Sequence, residues 1–149
     1  MHRILFICHG NICRSTMAES VMTELVRRAG REHEFVIDSA ATSREELGNP
    51  PHPGTVAKLA EEGIPVVPHR ARQITHDEYE RWDHIIYMDG ENRRNLMRIL
   101  RQDPEGKVSR LLDWTDRPND VADPWYTGNF DATWRDVFEG CQALLEKLD

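Results

Sequence analysis

Four consecutive apolar residues, Ile4-Leu5-Phe6-Ile7, run straight into Cys8-His9-Gly10-Asn11-Ile12-Cys13-Arg14-Ser15, and an amphipathic pattern begins directly afterwards. Apolar residues that are consecutive rather than alternating belong to a parallel strand covered on both faces, so Met1 to Ile7 reads as a central strand. From Thr16 to Ala29, the residues Met17, Ala18, Val21, Met22, Leu25, Val26 and Ala29 recur at helical spacing, with Arg27, Arg28 and Gly30 as C-terminal signals. Thr16-Met17-Ala18-Glu19 has capping-box spacing at the helix start. The segment from Cys8 to Ser15 is then a strand-to-helix loop. Its backbone N–H groups and the helix macrodipole converge to favour an oxyanion. A thiolate at Cys8 is favoured for the same reason, which predicts a nucleophilic cysteine.

Strand and helix signals alternate along the rest of the chain. Phe35 to Ala40, His84 to Met88 and Val108 to Leu111 read as strands; Thr55 to Glu62, Glu91 to Leu100 and Asp131 to Leu148 read as helices. A second capping box, Thr75-His76-Asp77-Glu78, predicts a short helix to about Trp82, while Pro65 and Pro68 make Ile64 to Val67 a poor strand. Asn49 to Gly54 is a Pro/Gly-rich loop, and Asp113 to Gly128 is expected as a long polar loop. The last helix places Trp134, Val137, Phe138, Cys141, Leu144, Leu145 and Leu148 on one apolar stripe. This alternation predicts an α/β fold with an open parallel sheet, whose ligands bind beyond the carboxyl ends of the strands. Cys8 stands at such an end. With 149 residues and no repeat or linker, one domain spanning 1–149 is expected.

Composition narrows the function classes. A formal net charge of -7 argues against binding nucleic acid or anionic membrane surfaces, so any anion site must be made positive locally. No apolar run approaches a membrane span or the core of a signal peptide. Three cysteines are too few for a disulfide scaffold and agree with a reducing, cytoplasmic setting. Cys8, His9 and Cys13 lack a second ligand pair, so no metal site is expected, and no nucleotide-binding G-x4-G-K-[ST] loop is present.

Cys8 and Arg14 have C-x5-R spacing. In a strand-to-helix loop this sets a thiolate below a phosphorus atom, a planar guanidinium on two of its oxygens, and loop amides on the remaining charge. Gly10 and Asn11 tolerate the left-handed backbone a tight cradle needs, and Ser15 can donate to the thiolate. A departing alkoxide or phenolate also needs a proton. The acidic loop offers Asp113, Asp116, Asp120 and Asp123, and spacing alone does not choose among them.

C-x-G-N-x-C-R-S followed by Ala18-Glu19 resembles the signature of the low-molecular-weight protein tyrosine phosphatases. Asp38-Ser39-Ala40, Gly48-Asn49-Pro50-Pro51, His69-Arg70-Ala71-Arg72-Gln73-Ile74, Met88-Asp89 and Asp123-Pro124 resemble further family motifs in the family's order. The resemblance implies a three-layer open sandwich with a four-stranded parallel sheet and a phosphate-binding loop after the first strand. It implies metal- and cofactor-independent hydrolysis of phosphotyrosine through a phosphocysteine, with Cys8 as nucleophile, Arg14 as oxyanion clamp and Asp123 as general acid. Asn11, Ser15, Ser39 and His69 match supporting positions, and Cys13 matches a cysteine able to form a reversible disulfide with the nucleophile. The substrates implied are phosphotyrosine-containing proteins, opposite a cognate tyrosine kinase, for a monomeric enzyme.

Three residues depart from the family pattern: Thr16 replaces a proline, Glu45 replaces a large aromatic on the cleft rim, and Trp125 stands beside Tyr126 where tyrosine is common. The Thr16-Glu19 capping box is expected to compensate at the helix start, and Glu45 predicts poor tolerance of acidic residues flanking the phosphotyrosine. Ile12 offers branched apolar surface to an aromatic ring, whereas the related arginine phosphatases carry threonine there. Arsenate reductases of this fold need a later cysteine pair, which is lacking between Cys13 and Cys141. A non-catalytic phosphate-binding module would not require Cys8, Arg14 and Asp123 together.

Overall fold

The computed structural model describes residues 1–149. Four parallel strands form one sheet in the order β2-β1-β3-β4, with β1 at His2–Cys8, β2 at Phe35–Ala41, β3 at His84–Tyr87 and β4 at Val108–Arg110. The helices are α1 (Arg14–Arg28), α2 (Pro53–Glu61), α3 (Gly90–Leu100), α4 (Pro124–Thr127) and α5 (Phe130–Lys147). Both faces of the sheet are covered, as the consecutive apolar run of β1 requires. Ile4 and Phe6 join a core shared with α1 and α5, while Leu5 and Ile7 pack with Leu96, Leu100, Tyr79 and Trp82 on the opposite face. All four are fully buried, and each such side chain stabilises the fold by about 1.5–3 kcal/mol. The chain runs from β1 to one neighbour, β2, and then crosses to the other, β3. That reversal opens a crevice at the carboxyl ends of β1 and β3.

Several local expectations are corrected. The Thr16-Glu19 capping box does not form, because α1 begins two residues earlier, at Arg14. Thr16 Oγ1 instead donates back to the carbonyls of Ile12 (2.9 Å) and Cys13 (3.1 Å), and Glu19 faces another partner. The Thr75 capping box is present, with Glu78 Oε2 accepting from Thr75 N at 2.8 Å, although it starts a 3-10 turn rather than an α-helix. The expected polar loop is also partly ordered: Leu111–Trp114 is a 3-10 turn, and Pro124–Thr127 is one helical turn capped by Asp123. On α5, Val137, Cys141, Leu144 and the following Leu148 are buried, whereas Trp134, Phe138 and Leu145 are partly covered.

Candidate active site

Cys8 ends β1 and is almost completely buried. Its Sγ accepts the Asn11 N–H at 3.3 Å and lies 3.0 Å from Ser15 Oγ. Asn11 Nδ2 already donates to Ser15 Oγ at 2.8 Å, so the Ser15 hydrogen is free to point at the sulfur. Residue 11 is where the loop turns: Asn11 adopts φ 60°, a left-handed conformation that asparagine tolerates. Gly10 does not share it. Its value is space, since a Cβ there would come within 3.3 Å of the Glu46 side chain.

The Asn11 side chain is fully buried and satisfied on every side. Nδ2 also donates to Ser39 Oγ (2.9 Å), while Oδ1 accepts from His69 Nε2 (2.7 Å) and from the Arg72 backbone N–H (3.2 Å). Ser39 in turn donates to Glu19 Oε1 at 2.6 Å, and Arg72 joins Asp38 (3.0 Å) and Glu78 (2.8 Å). Burial pushes the Glu19 carboxyl up to about 7 and lowers the His69 imidazole. Glu19, Asp38 and His69 lie close enough together to be considered as cation ligands. Arg72 already supplies positive charge to Asp38, however, and none of the three lines the cleft.

Arg14, only 3% exposed, reaches across the sheet ends. Nη1 donates to Asp89 Oδ2 (2.8 Å) and the Val121 carbonyl (3.1 Å), and Nη2 to Asp123 Oδ2 (3.3 Å). Burial opposes its charge, yet Cys8, Asp89 and Asp123 hold the guanidinium above its ordinary value. Asp89 lies two residues beyond the end of β3 and caps α3, with Oδ1 accepting from Asn92 N at 2.8 Å. Asp123 is extended at φ −97°, ψ 108°, as the following proline favours, and accepts from Trp125 N at 3.0 Å. The four acidic-loop candidates are therefore separated by geometry: Asp113 and Asp120 hold Arg110, and Asp123 alone of the four lines the cleft.

The cleft has a volume of about 360 Å³. Cys8, Ile12, Cys13 and Arg14 form its buried part; Glu45, Trp125 and Tyr126 stand at its rim, the two aromatics 65% and 80% exposed. Glu45 is not free, because Oε2 lies 2.9 Å from His9 Nε2 in an exposed pair worth at most about 1 kcal/mol. All three cysteines are free thiols. Burial, reinforced by the nearby Cys8 and Asp123, pushes the Cys13 thiol up to about 12. Cys141 lies in the core, where burial also raises it, away from the cleft.

Every residue singled out from the loop motif thus converges on one place. The sequence assigned no role in the site to Asp89, Asp38, Arg72 or the Val121 carbonyl, and gave Glu19 only a helix-capping one. Asp89 carried the one usable signal, a carboxylate directly after a predicted strand end with an asparagine three residues on. A carbonyl such as that of Val121 has no sequence signature at all.

A thiol thus stands at the tip of a central strand of a parallel α/β sheet, beneath a loop that opens a helix. The chain belongs to the low molecular weight phosphotyrosine protein phosphatase family, whose sequence model matches residues 3–149. It is 39% identical over 150 residues to the low molecular weight protein-tyrosine-phosphatase YfkJ of Bacillus subtilis, covering 99% of this chain and 96% of that protein. The crystal structure of YfkJ superposes with a TM-score of 0.93 over 98% of this chain and 93% of that one. The human low molecular weight phosphotyrosine protein phosphatase is 36% identical over 149 residues, covering 97% and 94%. A Drosophila arginine phosphatase shares the fold at 26% identity and a TM-score of 0.87, covering 98% of each chain. No helix is long and apolar enough to cross a membrane.

Proposed function

We propose that this protein hydrolyses phosphotyrosine monoesters through a covalent phosphocysteine at Cys8, with no resident metal or other cofactor. One observation carries the reading: Cys8 Sγ, supported by Ser15 Oγ and Asn11 N–H, shares a cleft with a buried Arg14 that also grips Asp123. In the first step the Cys8 thiolate attacks phosphorus, the P–O bond breaks, and Asp123 gives its proton to the departing phenolate oxygen. In the second, Asp123 takes a proton from water as the water attacks phosphorus and the S–P bond breaks. Ser15 donates to the departing sulfur. Arg14 and the loop amides carry the phosphoryl charge throughout.

Ile12 supports an aromatic substrate, because it brings branched apolar surface to the buried part of the cleft. Trp125 and Tyr126 offer further aromatic surface at the rim, while Glu45 disfavours acidic flanking residues. Replacing Glu45→Trp is expected to raise relative activity on acidic phosphopeptides, and an unchanged ranking against neutral ones would refute this role. Cys13 is assigned the reversible disulfide with Cys8 that would guard the nucleophile from over-oxidation. We further infer one domain over 1–149, acting as a monomer in the cytoplasm on phosphotyrosine proteins, opposite a tyrosine kinase.

The test is a steady-state comparison of phosphotyrosine and phosphoarginine peptides in EDTA, with Cys8→Ser and Asp123→Ala as controls. Phosphotyrosine turnover that persists in EDTA and disappears with Cys8→Ser is expected. Preferred phosphoarginine turnover would transfer the function to the arginine phosphatases, and loss of activity in EDTA would refute the metal-free route.

A further inference from the structure

His52 occupies an unusual position between the two loops that make up the site. Its backbone N–H donates to the Ile12 carbonyl at 2.8 Å, and three residues on, Thr55 Oγ1 donates to the Cys13 carbonyl at 3.3 Å. The start of α2 is thereby fastened to the phosphate-binding loop. The His52 ring caps α2, with Nδ1 accepting from Gly54 N at 2.9 Å. The same ring stacks on Phe130 (centroids 5.5 Å apart, 25° between planes) and meets Trp125 edge-on (6.4 Å, 79°). Both geometries are favourable for aromatic pairs. Gly54 makes the approach possible, because a Cβ there would lie 2.3 Å from Phe130 Cζ.

We propose that His52 is a positioning residue that holds the Asp123 segment over the phosphate-binding loop, an inference that rests on the phosphatase reading above. Trp125 and Phe130 bracket the turn from α4 into α5, and Asp123 lies two residues before Trp125. In the free protein Asp123 is also held by Arg14. A phosphoryl dianion competes for those guanidinium donors, so that tether weakens when the proton must be delivered. The contacts of the His52 ring do not involve Arg14 and persist through that exchange. His52 therefore matters most when the leaving oxygen needs protonation most.

The readout is the dependence of kcat/KM on leaving-group basicity across a series of aryl phosphates, with Asp123→Ala defining the limit without a proton donor. His52→Asn keeps a good cap acceptor but removes the ring; His52→Phe keeps a ring but removes the acceptor. His52→Asn should lose about tenfold on the most basic leaving groups, the scale of one aromatic pair, and under about twofold on the least basic. His52→Phe should keep the wild-type slope, and the inhibition constant of inorganic phosphate should stay within about twofold in both, as that ligand is held by the loop and Arg14 and needs no proton from Asp123. Should His52→Asn not fold, Phe130→Leu removes the stacked partner while the His52 cap of α2 stays in place, and must show the same steepening. A wild-type slope in the variant that lacks the contact, equal steepening in His52→Phe, or phosphate inhibition weakened as much as kcat/KM would each overturn the proposal. A wild-type protein inert toward every aryl phosphate would instead overturn the phosphatase reading itself.

Discussion

Replacing Asn11 by alanine should be among the most damaging single changes to this protein, and two separable terms set its size. Four side-chain hydrogen bonds disappear, those with Ser15, Ser39, His69 and the Arg72 amide, from a residue with no solvent exposure. At a net 0.5–1.5 kcal/mol each, they sum to about 2–6 kcal/mol. The left-handed backbone at φ 60° adds roughly 1 kcal/mol for a residue with a Cβ and no side-chain amide. A total of about 3–7 kcal/mol is a large share of the roughly 5–15 kcal/mol that stabilises a domain. At about 2–4 °C per kcal/mol, Tm should fall by about 6–28 °C. Asn11→Gly separates the terms, since glycine loses the hydrogen bonds but not the permitted backbone, and should be milder than alanine by about 1 kcal/mol. Urea unfolding of the three proteins under reducing conditions measures both quantities. A cost below about 1 kcal/mol for Asn11→Ala, or a glycine variant no milder than alanine, would show that the network does not hold the loop as described.

Other outcomes follow from the same contacts. Gly140→Ala places a Cβ 2.5 Å from Leu111 Cγ, so overpacking should destabilise by about 1–3 kcal/mol, read as a lower urea midpoint with an unchanged m-value. Cys13, raised to about 12, stays a thiol at neutral pH, so brief iodoacetamide treatment at pH 7 followed by peptide mass analysis should leave it and Cys141 unlabelled. Glu19, raised from 4.5 to about 7, binds a proton in the folded protein that the unfolded chain has released. Its contribution to stability is complete below about pH 4.5 and is lost as pH rises through about 7, at most roughly 3 kcal/mol in all. His69, lowered from 6.5 by burial, acts with the opposite sign below that pH. The Glu19 effect is therefore cleanest above about pH 6.5, where Glu19→Gln should flatten the fall of Tm with pH.

Short-range features were legible without coordinates. The strand, the cysteine, the loop and the helix lie within one continuous stretch, so their spacing already brings Cys8, Ser15 and Arg14 near one another. The buried run Ile4 to Ile7 likewise announced a strand covered on both faces. Even local reading failed where two local solutions competed. Thr16 and Glu19 have the right spacing to cap a helix, but α1 gains two residues by starting at Arg14. Thr16 then bonds back to the loop carbonyls, and Glu19 turns toward Ser39.

The amino-acid order alone therefore determined the parallel α/β architecture and the thiol-bearing anion loop, because periodicity and turn chemistry act over a few residues. Only the tertiary structure decided what surrounds that loop. Asp89 comes from the end of β3, Asp123 and the Val121 carbonyl from the segment before α4, and His69 and Arg72 from the stretch after α2. Their convergence depends on β3 joining β1 on the side opposite β2, a choice made by the packing of the whole sheet. The link from His52 to Trp125 and Phe130 has the same origin: the ring and its partners are more than seventy residues apart and meet only where α2 packs beside α5.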